Sequence, residues 1–220
     1  MAQHYFDSDP DAAHRRATVD LVLADLHLRL ETDRGMFSPD KVDLGTRVLL
    51  ESVPAPPAHG RLLDVGCGYG PIALTMAARA PEASVVGVDV NRRAVRLAQG
   101  NAAKNHLDNV DFYVVDADGN PAESPSDQAA PGTDAAAAPP ALAGPFDAIW
   151  SNPPIRIGKP ALHGLLRTWL RRLAPGGTAH LVVQKNLGAD SLHRWLESEG
   201  HPTERAASRA GFRILRVHRP

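Results

Sequence analysis

Three stretches of this chain carry residue types spaced for chemistry. The first is Leu63-Asp64-Val65-Gly66-Cys67-Gly68-Tyr69-Gly70, where glycines alternate as G-x-G-x-G directly after an apolar run. A glycine turn between a buried strand and a helix lets a ligand touch the backbone beside a helix N-terminus. The spacing is not the G-x-G-x-x-G of dinucleotide binding, and Asp64 stands two positions before the first glycine. A carboxylate there disfavours a pyrophosphate and favours a cation. Asp89 follows 19 residues after Gly70, at the end of the next apolar run, where an acid can hold ribose hydroxyls. Asp116 ends the third run in the same way. Acids at three successive strand ends imply a nucleoside with a positive centre and no phosphates.

The third stretch is Ser151-Asn152-Pro153-Pro154-Ile155. Two prolines fix φ and remove two backbone donors, which is expected to leave carbonyls free to accept. Asn152 adds a side-chain acceptor. Such a rigid acceptor pair can hold an exocyclic NH₂ by both hydrogens and turn its lone pair toward an electrophile, lowering a barrier by positioning and electrostatics. Read alone, Asn-Pro is also an ordinary turn dipeptide.

The elements that must position these residues read as a doubly wound α/β fold. RLLDVG, SVVGVDV, DNVDFYVVDAD, FDAIWSN and TAHLVVQ are near-continuous apolar strands, and GFRILRVHR closes the series. Helices lie between them at PIALTMAARA, RRAVRLAQGNAAKN, PALHGLLRTWLRRLA and SLHRWLESEG, the third expected to end at Pro175-Gly176-Gly177. Apolar strands alternating with helices mean a mostly parallel sheet covered on both faces. Residues 1–36 read as an N-terminal extension. Within it, TVDLVLADLHLRLET alternates with period two and predicts a β-hairpin turning near Ala24-Asp25. Residues 37–220 form the main domain. Its first helix is expected to be capped by Ser38 with Pro39 at the first position, which puts Gly45 in the helix interior. Residues 117–145 interrupt the pattern with 10 Ala, 6 Pro and Leu142 as the sole bulky apolar residue, and they read as a disordered insertion.

Composition narrows the class. With 24 Lys+Arg and 25 Asp+Glu in 220 residues the net charge is −1, but residues 150–220 hold 12 basic and 4 acidic residues. That bias suggests an anionic partner such as nucleic acid. Arg167, Arg171 and Arg172 fall at helical spacing and suit phosphate contacts or a solvated face. One cysteine excludes an internal disulfide framework, and ten scattered His without an HxH or HExxH pair give no metal site. Cys67 reads as a small packing residue. No apolar run reaches the ~18 residues of a membrane span, and the polar start lacks a signal core, so a cytoplasmic protein is expected.

LLDVGCGYG, GVDVN, VVDAD and FDAIWSNPPI, in that order, resemble the consecutive motifs of class I S-adenosylmethionine-dependent methyltransferases, over roughly residues 35–220. More narrowly, HYF near the start, GMFSPDKVDLGTRVLL, NPPIRIGK and VVQKNLG are similar to the "methyltransferase small" domain. That domain is the catalytic half of bacterial small-subunit ribosomal RNA guanine-N2 methyltransferases and also occurs alone. The resemblance implies a Rossmann-like, mostly parallel seven-stranded sheet with S-adenosylmethionine as cofactor, matching the cationic nucleoside above. It implies that Gly66, Cys67, Gly68 and Gly70 lie along the methionine part, with Asp64 near its ammonium. Asp89 would take the ribose, and Asp116 with the Ala117 backbone the adenine. Asn152, Pro153 and Pro154 would hold the target amine beside the cofactor. Ile155, Arg156, Phe37 and Lys185 would meet the substrate. Arg156 stands where those enzymes typically carry His, and only about 35 residues precede the domain where they often carry a duplicated one. RNA recognition is therefore expected to differ. The implied reaction is N-methylation of an exocyclic amine by in-line displacement, with guanine N2 of ribosomal RNA, free or in the small subunit, as target. The alternatives are a protein glutamine-amide methyltransferase and a cofactor-binding, RNA-associated protein without turnover.

Overall fold

The computed structural model describes residues 16–33, 41–122 and 139–219. Phe37, Ser38, the HYF segment and residues 123–138 lie outside the described residues. Strands β1 (Arg16–Val22) and β2 (His27–Asp33) form the expected antiparallel hairpin, with Leu21 opposite Leu28 and Val19 opposite Leu30. These four apolar side chains are all buried.

The main sheet contains β3 (His59–Val65), β4 (Glu82–Asp89), β5 (Val110–Val114), β6 (Phe146–Ser151), β7 (Leu173–Gln184), β8 (Thr203–Arg209) and β9 (Phe212–His218). Their order is β5-β4-β3-β6-β7-β9-β8. The first five are parallel to one another, and β9 and β8 close one edge antiparallel. Strand β8 has no counterpart in the sequence reading. Its segment, TERAASR, contains no large apolar residue and none of its side chains is buried. As an edge strand it needs only one partner and no apolar face.

Helices cover both faces: α1 (Leu44–Ser52), α2 (Pro71–Arg79), α3 (Arg92–Lys104), α4 (Pro140–Ala143), α5 (Lys159–Leu170) and α6 (Ala189–Ser198). Adjacent β3 residues Leu62 and Leu63 point into different cores, as pleating requires. Leu62 joins the hairpin, α1, α2 and α3, whereas Leu63 joins α4, α5 and α6.

The hairpin is fastened by α3 in an unusual way. Asn101 accepts from the Glu31 amide at 2.7 Å and donates to the Glu31 carbonyl at 2.9 Å. Asn105 repeats the pattern on Arg29, at 3.2 and 3.0 Å. Four residues of helix rise ~6 Å and two residues of strand ~6.8 Å, so two helix amides can serve as the missing partner strand. The Arg93–Asp33 and Lys104–Glu31 ion pairs add to this junction.

Several boundaries differ from those expected. Helix α1 starts at Leu44 rather than near Ser38, because Asp43 is its cap: the side chain accepts from Thr46 N at 3.0 Å. Gly45 therefore sits in the first turn, where its propensity cost is small. Helix α5 stops at Leu170, and Pro175-Gly176-Gly177 instead lies within β7 at a shift of register against β6. The 117–145 stretch is ordered at both ends. Val115 bridges Pro121, and Leu142 in α4 is 1% exposed. Arg61 donates to the Pro140, Ala141 and Gly144 carbonyls, and Arg172 to that of Leu142. These guanidiniums supply the donors that the short helix end lacks.

Candidate active site

Strand order reverses between β3 and β6, and open α/β sheets bind ligands at the carboxyl ends flanking such a point. Both motifs emerge there. Val65 and Ser151 are register partners, and Ser151 Oγ donates to the Val65 carbonyl at 2.6 Å. Gly66 and Asn152 thus leave the sheet side by side.

The glycine turn is pinned to β4 from below. Gly66 N and Cys67 N both donate to the Val88 carbonyl at 2.9 Å, and Gly68 N donates to Asp89 Oδ2 at 2.8 Å. These amides are spent internally, so they do not form the open nest of donors that a phosphate needs. The upper surface is bare instead. Gly66 and Gly68 have φ of 75° and 55°, and a Cβ on either would meet nothing within 4 Å. That is a cradle which only glycine leaves open.

The acids around it differ in character. Asp64 is fully buried, with Oδ2 accepting from Ala73 N at 3.0 Å and Oδ1 left without a partner among the described residues. Burial, with Asp89 adding to it, holds its carboxyl well above the usual range. An unpartnered buried carboxyl gains most from a cation placed over it. Asp89 is 4% exposed and accepts from Asn91 N at 2.9 Å as well as from Gly68 N. Burial raises its pKa, opposed by the amides of Asn91, Gly68 and Val90. Asp116 is exposed and closes its own turn, accepting from Asp118 N, Asn120 N and Asn120 Nδ2. Partial burial works to raise its pKa, but these donors outweigh it and hold the carboxylate low. Ala117 is exposed on the same turn. Burial, then Asp89 and Asp64, push the Cys67 thiol up, which suits packing and not nucleophilic attack.

Asn152 is fixed from α1. Its Nδ2 donates to Asp43 Oδ2 at 2.8 Å and to Thr46 Oγ1 at 3.1 Å. Both amide hydrogens are used, so Oδ1 is the free end, with no donor on it among the described residues. The carboxylate settles which end is which, because an amide oxygen turned toward it would be repelled. The expectation of free proline carbonyls is corrected. Pro153 O accepts from Ile155 N at 2.8 Å and Pro154 O from Ile157 N at 3.1 Å, as the chain curls into a 3-10 turn at Ile155–Ile157. Each carbonyl keeps its second lone pair. Ile155 is half-buried against the α5 side of the core, so it is a packing residue as well as a rim residue.

Arg156 and Lys185, in the short turns after β6 and β7, and Lys159, the first residue of α5, are exposed, with no ion-pair partner among the described residues. The Arg167–Arg172 stripe is otherwise engaged. Arg167 pairs with Glu199 at 2.6 Å and lies over Trp195, Arg171 donates to the Arg167 carbonyl, and Arg172 lies over Trp169. These contacts are structural. Among the described residues no cluster of His, Cys, Asp and Glu could hold a metal ion, and no helix is long and apolar enough to cross a membrane.

The sequence reading missed Asp43, whose partner lies 109 residues away. The signal that could have found it is the D-x-x-T capping pattern at the start of an apolar helix.

The model of the methyltransferase small domain family matches residues 27–128 and 133–216. The chain is 32% identical over 217 residues to the uncharacterized protein YbxB of Bacillus subtilis, covering 99% of this chain and 98% of that one. It is 33% identical over 197 residues to ribosomal RNA small subunit methyltransferase C of Hahella chejuensis, covering 87% of this chain and 50% of that protein. Among solved structures, the 16S rRNA N2 G1207 methyltransferase of T. thermophilus, in complex with AdoMet and guanosine, superposes with a TM-score of 0.72 at 22% identity. That match covers 96% of this chain and 52% of the other. The chain thus spans about half the length of the ribosomal RNA methyltransferases it matches. The bare glycine cradle, the orphaned Asp64 oxygen and the absence of a phosphate nest fit a cationic nucleoside. With its family model matched across both motifs, the chain belongs to the methyltransferase small domain family and is an S-adenosylmethionine-dependent methyltransferase.

Proposed function

We propose that the chain methylates an exocyclic amine, and that its target is guanine N2 in small-subunit ribosomal RNA. The observation that carries the amine is Asn152. Its NH₂ is spent on Asp43 and Thr46, and its Oδ1 is left as an acceptor at the switch point. Only a donor on the substrate complements an acceptor-only position, and an exocyclic NH₂ supplies two. Asn152 Oδ1 takes one hydrogen and the spare lone pair of a proline carbonyl takes the other. Held so, the nitrogen lone pair turns out of conjugation with the ring, which raises its nucleophilicity through positioning. S-adenosylmethionine supplies an electrophilic sulfonium methyl. Asp64, Gly66 and Gly68 would hold its methionine part, with Asp89 at the ribose and the Asp116–Ala117 turn beside the adenine. An exocyclic amine is too weakly basic to carry a proton at neutral pH. No side-chain base has to remove one first, and solvent takes the one released.

Ribosomal RNA is supported by the relatives' names and by the guanosine in the T. thermophilus complex. It is also supported by the cations Arg156, Lys159 and Lys185 on the site's rim, which have no ion-pair partner among the described residues and suit phosphate contacts. Phe37 and Ile155 would flank the base. Such a substrate places the enzyme in the cytoplasm. The test is transfer from methyl-labelled S-adenosylmethionine to purified small subunits, stripped ribosomal RNA and total protein. Label that digests to N2-methylguanosine supports the reading. Label in glutamine side chains of protein, or cofactor binding with no labelled product, refutes it.

A further inference from the structure

Asp43 does two things with one oxygen. Oδ2 accepts from Thr46 N at 3.0 Å, which caps α1, and from Asn152 Nδ2 at 2.8 Å. Thr46, 4% exposed, offers Oγ1 to the other amide hydrogen at 3.1 Å. The neighbouring residue is shaped around this clamp. A Cβ on Gly45 would stand 2.9 Å from Asp43 Oδ2 and 2.9 Å from the Phe212 ring, so a side chain there would push the carboxylate aside. A cap alone needs any short acceptor, and Ser, Thr or Asn would serve. What Asp adds over Ser is the longer reach of a planar carboxylate and a full negative charge facing an amide.

We propose that Asp43 is a positioning residue for methyl transfer. It fixes Asn152 with its oxygen toward the substrate and, through charge, makes that oxygen a stronger acceptor. An asparagine amide is nearly symmetric in shape, so packing alone does not choose between its two orientations. In the flipped orientation the amide oxygen would face the carboxylate and the NH₂ would face the target amine, two like contacts at once. With Asp43 in place the amide is held acceptor-outward before substrate arrives. A negative charge on the N–H side also polarises the amide and increases electron density on Oδ1. Thr46 completes the clamp and prevents rotation about the remaining hydrogen.

The inference rests on the reading that Asn152 Oδ1 accepts from the amine, and a double-mutant cycle separates the two. Asp43→Ser retains a capping oxygen but cannot reach Asn152. Asp43→Asn places an oxygen where Oδ2 lies without the charge. Each is made alone and with Asn152→Ala. Single-turnover rates are measured on small ribosomal subunits, beside cofactor affinity and thermal midpoint. Asp43→Ser is expected to slow transfer about 10- to 100-fold, the value of one charge-assisted hydrogen bond, with cofactor affinity within about threefold. Asp43→Asn should recover much of the loss. In the Asn152→Ala background Asp43→Ser should change the residual rate by less than about twofold, because nothing remains to be oriented.

Equal losses from Asp43→Ser in both backgrounds would make Asp43 a cap and no more. A wild-type rate in Asp43→Ser with a slow Asn152→Ala would overturn this inference alone. A wild-type rate in Asn152→Ala would overturn the underlying reading and this one with it. Should Asp43→Ser fail to fold, Thr46→Val carries the same cycle, since it removes one acceptor and leaves the cap. It is expected to slow transfer several-fold, and only when Asn152 is present.

Discussion

Replacing Asn101 by Ala should be among the most damaging single changes outside the glycine turn. Asn101 is fully buried on α3 and holds three backbone groups: Glu31 N at 2.7 Å, Glu31 O at 2.9 Å and the Tyr69 carbonyl at 2.9 Å. Alanine leaves all three without their side-chain partner. A buried polar group deprived of its partner costs about 1–3 kcal/mol. Glu31 is half-buried and water can reach its groups in part, so the low end applies there, whereas Tyr69 is buried. Alanine returns some helix propensity, roughly 0.6 kcal/mol. The net expectation is about 3 kcal/mol of lost stability. Asn105→Ala provides the internal control. It makes the same two-bond ring with Arg29, but in an exposed place, and should cost at most about 1 kcal/mol. Urea denaturation of both variants measures the difference. Amide hydrogen exchange localises it, with Glu31 N–H losing protection in Asn101→Ala and keeping it in Asn105→Ala. Because Tyr69 follows Gly68 in the glycine turn proposed to hold the cofactor, cofactor affinity should fall several-fold in the first variant only. Equal costs for the two variants, or unchanged exchange at Glu31, would refute the view that helix amides replace a strand at this edge.

Gly68→Ala should cost only about 1–2 kcal/mol, the strain of alanine at φ 55° with no clash, yet weaken cofactor binding at least tenfold, because its methyl occupies the open cradle. Calorimetric affinity unchanged beside intact folding would exclude the cradle. Gly60→Ala should lose more stability and leave cofactor affinity alone. Its Cβ would fall 2.2 Å from Asp147 Oδ2, which accepts from Arg61 N at 2.8 Å, and its φ is 95°. The chemical denaturation midpoint checks it. His180 is 4% exposed, and burial, with Arg216 and His218 nearby, lowers its pKa from 6.5 to about 4. The unfolded chain takes up this proton first. The contribution is therefore fully present above pH 6.5 and is lost as pH falls toward 4, at roughly 1.4 kcal/mol per pH unit. Asp64 acts in the opposite sense, since its raised pKa lets the native state bind the proton first. The test is therefore the difference in slope between wild type and His180→Leu. Identical slopes would remove His180 from the pH dependence.

How much of this was legible in the sequence depends on the range over which each feature is encoded. Parallel strands buried on two faces announce themselves as apolar runs, so β3, β4, β5 and β6 stood out. The hairpin did too, since Leu21, Leu28 and Leu30 alternate with polar neighbours in strands that bury one face. TERAASR gave no such signal because an edge strand can take its stability from β9 alone. Helix α1 was expected to be capped by Ser38 with Pro39, and the cap observed is Asp43, which also contacts Asn152 across the fold. The stripe of Arg167, Arg171 and Arg172 suited phosphate contacts or a solvated face alike, because periodicity shows that side chains share a face but not what lies opposite. Glu199 and Trp195 lie there. The proline carbonyls looked free because a proline rule counts donors removed, and the amides of Ile155 and Ile157 fold back from downstream. Chemistry-bearing residues were readable as types at strand ends. Their orientation, above all that of the Asn152 amide, comes from partners that sequence spacing does not reveal.

The most direct measurement is turnover of Asn152→Ala beside its cofactor affinity, with small ribosomal subunits as acceptor and N2-methylguanosine counted in the digest. The expected result is N2-methylguanosine from the wild type, a loss of at least 100-fold in the variant, and an affinity for S-adenosylmethionine that stays within a few-fold. Undiminished turnover in the variant, or a wild-type product other than N2-methylguanosine, would contradict it.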